Sequence, residues 1–74
     1  NGKMANDLAG AFAARLRTEA GPRLEAQVRL AYELATGRPP TPGEAQIATA
    51  FLREQSLTEF ALAMFNLNDS LYVH

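Results

Sequence analysis

The sequence predicts an all-α fold, a small bundle of four short helices, and three observations carry that prediction. Apolar residues recur at spacings of three and four, the period of a helix rather than the alternation of a strand. Gly21-Pro22 and the run from Gly37 to Pro42 interrupt that pattern with residues that stop a helix. Thr41-Pro42-Gly43-Glu44 and Ser56-Leu57-Thr58-Glu59 each spell a capping box, the signature of a helix start. The 74 residues leave room for one small helical domain spanning residues 1–74, and 47% hydrophobic content suits a chain that folds around a core. A chain this short buries a limited share of its surface, so close packing of every apolar face matters.

The first helix is expected to begin near Asn6 or Asp7, either of which can cap it, after a frayed start at Asn1 to Met4. Leu8, Phe12 and Leu16, with Ala5, Ala9 and Ala13 alongside, make one apolar stripe. Arg15 and Arg17 fall near its C-terminal end, where cations suit the helix dipole. Gly21 and Pro22 then close this helix and license the second, from about Pro22 to Thr36. Its inner face centres on Leu24, Val28, Ala31 and Ala35, flanked by Gln27, Leu30, Tyr32 and Leu34. Glu25, Arg29 and Glu33 lie opposite as a ladder of solvated ion pairs, each pair contributing roughly 0.3 to 0.5 kcal/mol.

Gly37 supplies the positive φ of a helix C-cap, and Pro39, Pro40 and Pro42 forbid continuation, so the chain turns a corner here. The third helix opens at Pro42, with Ile47, Ala48, Phe51 and Leu52 on its inner side, and ends near Gln55. Ser56 caps the fourth almost at once, which makes their connection tight. Leu57, Phe60, Met64, Leu67 and Leu71 form its stripe, with Ala61, Phe65 and Tyr72 flanking and Leu62 on the far side. This is the most apolar helix of the four, which fits a central position or a face covered by something else. Asn66 to Ser70 is rich in helix-weakening side chains and allows an end before Leu71.

The inventory for catalysis is poor. Cysteine is absent, which excludes disulfides and thiolate metal sites, and the sole histidine is the last residue, His74. Carboxylates are spread over polar faces and caps, with no Glu-x-x-His pair and no calcium-loop spacing, so no catalytic set, cofactor or metal site is expected. The glycines form no phosphate loop, since prolines remove the amide donors after Arg38. A net charge of -1, with basic residues scattered among glutamates, argues against nucleic acid as a partner. No run approaches the roughly 18 apolar residues of a membrane span. Five residues remain as candidates for interaction. Arg38 sits in the proline-flanked corner, where its guanidinium reaches free carbonyls or a carboxylate. Asn68 flanks the last apolar stretch and can bridge backbone groups, while Leu62, Phe65 and Tyr72 could share a binding patch.

Ala31-Tyr32-Glu33-Leu34-Ala35-Thr36-Gly37-Arg38-Pro39-Pro40-Thr41-Pro42-Gly43-Glu44, followed later by Phe65-Asn66-Leu67-Asn68-Asp69-Ser70-Leu71-Tyr72-Val73-His74, resembles the C-terminal end of large secreted planctomycete proteins. Those proteins pair a planctomycete-type cytochrome c domain with planctomycete-specific domains of unknown function. The opening Asn1-Gly2 and the Phe12 to Leu16 helix are similar to the segment just before that end, so the resemblance covers nearly the whole chain. Ser70 stands where the family pattern carries an aromatic residue.

The resemblance implies a C-terminal fragment of a longer exported protein, periplasmic or extracytoplasmic, whose haem-binding motif lies elsewhere. It implies no activity. The leading expectation is therefore a non-catalytic structural or interaction module whose partners are the upstream domains of its own parent chain. The alternatives are an autonomous module binding another protein or a glycan through Leu62, Phe65 or Tyr72, and a segment lending Arg38, Asn68 or His74 to an enzyme site built upstream.

Overall fold

Three corners shape the chain, and each is set by identifiable residues. A computed structural model describes the backbone of residues 2–72 and the side chains of residues 2–67. Among the described residues there are four helices and no strand: α1 (Gly2–Ala20), α2 (Leu24–Thr36), α3 (Pro42–Glu54) and α4 (Leu57–Tyr72). The all-α expectation therefore holds. The Cα radius of gyration, 11.5 Å, is that of a folded chain of this length, for which about 11 Å is expected.

At the first corner Gly21 adopts φ +78 and its N–H donates to the Arg17 carbonyl at 3.0 Å, closing α1 with a left-handed cap. The N-cap of α2 is Arg23, whose side chain makes no cap bond. Gln27 secures the turn in another way: it is 6% exposed, and its Nε2 donates to the Gly21 carbonyl at 2.7 Å. A buried amide is satisfied and the α1–α2 turn is tied to α2 by one contact.

The second corner follows the sequence closely. Gly37 takes φ +79 and its N–H donates to Glu33 O at 3.0 Å. Thr41 Oγ1 then accepts from Glu44 N at 3.1 Å, while the Glu44 carboxylate accepts from Thr41 N at 2.9 Å. Pro42 occupies the first turn of α3. At the third corner Gln55 ends α3 with extended backbone, and Ser56 Oγ accepts from Glu59 N at 3.0 Å. Thr41→Ala and Ser56→Ala should each cost about 1 kcal/mol of stability. The two losses should be alike, because each hydroxyl accepts one amide and Thr41→Ala keeps the backbone N–H that donates to Glu44; urea midpoints of the two variants check this, and clearly unequal losses would refute it.

The core forms around Leu16 of α1, Val28 and Ala31 of α2, Ala48 and Leu52 of α3, and Leu57, Phe60 and Met64 of α4. α4 touches all three other helices and makes its most extensive contact with α1, whereas α1 and α3 do not meet. α2 also touches all three others, so α4 shares with it the central position expected for α4 alone. Ala9 and Ala13 of α1 and Ala61 of α4 are each at most 1% exposed. Small side chains at these positions let helix backbones approach closely.

Several local expectations need correction. Asn6 and Asp7 do not cap α1; they lie inside it. Asn6 Nδ2 donates to the Gly2 carbonyl at 2.8 Å, and Asp7 pairs with Lys3 at 3.2 Å, so both support the first turns as i,i+4 partners. Leu8 is 56% exposed, because the buried stripe runs through Ala9, Ala13 and Leu16 and turns the leucine aside. Leu34, 38% exposed, stands similarly outside the α2 stripe. Ile47, placed inward on periodicity, is 74% exposed: α3 has neighbours on two sides, α2 and α4, and the sector carrying Ile47 meets neither fully. α2 begins at Leu24 rather than Pro22. α4 runs to Tyr72 instead of ending before Leu71, since intrinsic propensity is a weak prior in a segment with no glycine or proline. Of the ladder expected on α2, the pair formed is Arg29 with Glu33, at 3.1 Å; on α1, Arg15 pairs with Glu19 at 2.7 Å.

Candidate functional site

The corner between α2 and α3 and a groove between α2, α3 and α4 bring together side chains from separate parts of the chain. In the corner, Thr36 at the end of α2 turns its hydroxyl back onto the Tyr32 carbonyl, donating at 2.6 Å, and accepts from Arg38 N at 3.3 Å. That local turn positions Arg38. Its Nη1 and Nη2 donate to Glu44 Oε1 and Oε2 at 2.8 and 3.0 Å, and Nη1 also donates to the Pro39 carbonyl at 2.9 Å. The geometry is a two-pronged guanidinium–carboxylate pair, the arrangement that best matches the two groups.

Glu44 therefore serves three bonds at once, two from Arg38 and one from the Thr41 amide. The Arg38 hydrogen bond first, then the Thr41 amide, hold its carboxyl at about 2, against an ordinary 4.5. Arg38 is raised in turn, chiefly by its hydrogen bond to Glu44. Because the folded value lies below the unfolded one, the pair's contribution is fully present above about pH 4.5 and is lost as pH falls toward 2. Glu44→Gln should flatten that part of the profile. Urea midpoints of wild type and variant, measured from neutral pH downward, should converge below 4.5; parallel curves would show that the pair does not titrate with folding.

The groove lies between α2, α3 and α4. Tyr32 lines it from α2, Ile47, Ala48 and Phe51 from α3, and Phe60, Ala63, Met64 and Leu67 from α4, around a volume of about 240 Å³. No Lys, Arg, Asp or Glu is among these residues. Phe51 and Phe60 form its floor as a tilted ring pair with centroids 6.2 Å apart. Ile47 and Leu67, 74% and 40% exposed, stand at its mouth. Burial pushes the Tyr32 phenol upward, the nearby Glu44 carboxylate adds to this and Arg38 opposes it, so the ring stays neutral beside the corner.

A second cleft, about 450 Å³, is lined by Arg23, Glu25, Ala26, Arg29, Pro39, Pro40 and Ala45. Its charges offset one another: Glu25 lies within it, and Arg29 is already paired with Glu33. A third hollow, about 300 Å³, lies where Gln27, Leu52 and Leu57 meet below the first and third corners.

Of the five interaction candidates, Arg38, Leu62 and Phe65 have side chains among the described residues. Arg38 is committed to Glu44 and Pro39 within the corner. Phe65 is half-buried against Phe12, ring centroids 5.6 Å apart, and Leu62 is half-buried on α4. Asn68 and Tyr72 fall in the last turns of α4, and their side chains lie outside the described residues; His74 lies outside them altogether. What the periodicity did not single out is the groove itself. Its residues sit on three helices, and the one signal in the sequence was Ile47, four residues before Phe51 on the same flank of α3. No helix of the described residues is long and apolar enough to cross a membrane, and among them no group of three or more His, Cys, Asp or Glu could hold a metal ion. No family model, curated protein or solved structure matches this chain.

Proposed function

We propose that this chain is a non-catalytic helical module that packs against the rest of a longer parent chain, using the groove between α2, α3 and α4. The observation that carries the reading is the pair Ile47 and Leu67, large apolar side chains left 74% and 40% exposed at the mouth of an uncharged apolar groove. Fully burying one side chain of this size contributes about 1.5–3 kcal/mol, so a face built this way favours being covered. The resemblance to the C-terminal end of secreted planctomycete proteins supports the same reading. On it, the parent is an exported protein with a cytochrome c-type domain, and this segment completes the fold at its end.

The corner has a supporting role in this reading. The Arg38–Glu44 pair and the Thr41 cap fix the angle at which α3 leaves α2, and the groove lies between those two helices and α4. Phe65 favours an internal role over an exposed binding patch, because its ring already packs on Phe12.

The test is an NMR titration of the labelled chain with the separately produced upstream part of its parent. Saturable shifts at Ile47, Phe51, Met64 and Leu67 are expected. Ile47→Asp should weaken the interaction at least about tenfold, equivalent to about 1.4 kcal/mol, while changing stability by no more than about 0.5 kcal/mol, as for other surface substitutions. A well-dispersed spectrum that does not move on addition of the upstream part would overturn the proposal.

A further inference from the structure

We draw no further inference here: the strongest candidate, the apolar groove between α2, α3 and α4 with Tyr32 at its corner end and Ile47 and Leu67 at its mouth, belongs to the site already described, and nothing in the structure shows which segment covers it.

Discussion

Phe60→Ala is expected to destabilise the fold by about 3–5 kcal/mol, the usual range for removing a buried aromatic side chain. Phe60 is 4% exposed and belongs to the core shared by all four helices. Its ring also pairs with Phe51 across the floor of the groove, so truncation removes contacts with both the core and α3. A folded chain of this size has roughly 4–11 kcal/mol of stability in total, at about 0.05–0.15 kcal/mol per residue. The variant therefore loses roughly a quarter of that or more. Thermal unfolding followed by circular dichroism should show a midpoint lower by at least about 12 °C, at about 4 °C or more per kcal/mol. Phe51→Ala is the internal control: its ring is half-buried and should cost less. Equal losses from the two would mean that the core is not centred where the packing places it.

Leu16→Ala is expected to cost about 2–5 kcal/mol. Leu16 and Val28 are the largest side chains below 2% exposure. On α1 the other fully buried positions are Ala9 and Ala13, which offer little apolar area, so Leu16, with half-buried Phe12 beside it, attaches that helix to the core. Collapse around the vacated space is limited because α2 and α4 are both fixed against α1 from other directions. Leu8→Ala, on the same helix but 56% exposed, should change stability by no more than about 0.5 kcal/mol. The comparison is discriminating, because periodicity alone gives Leu8 and Leu16 the same standing. Urea midpoints of the two variants side by side decide it, and similar losses would show that α1 is rotated from the orientation described.

Helix boundaries that depend on contacts within a few residues were legible in the sequence. Gly37, the prolines after it, Thr41 and Glu44 act through the backbone of their own segment, and the structure realises both the left-handed cap and the reciprocal capping box. Ser56 realises one half of its box at the start of α4, its hydroxyl accepting from Glu59 N. Where a local signal had a competitor, the reading failed. Asn6 and Asp7 are good caps, but each also has an i−4 partner within a continuous helix, and the fold uses that option. The Arg38 pair lay between these cases. A carboxylate partner was expected, but its identity depends on the turn that swings Arg38 back over α3.

By itself, then, the sequence determined the fold class, the number of helices and the places where the chain turns. Those properties follow from short-range chemistry: a missing N–H, a positive φ, a hydroxyl three residues before an amide. Only the tertiary structure decided which apolar residues lie inside. A helical stripe as wide as those of α1 and α3 can be turned through tens of degrees and still bury an apolar face, and the choice rests on where the neighbouring helices stand. That is why Ala9 is covered and Leu8 is not, and why Ala48 is covered and Ile47 is not. The groove has the same origin. Tyr32, Phe51 and Met64 are far apart along the chain, and no local rule brings them to one surface until three helices have packed.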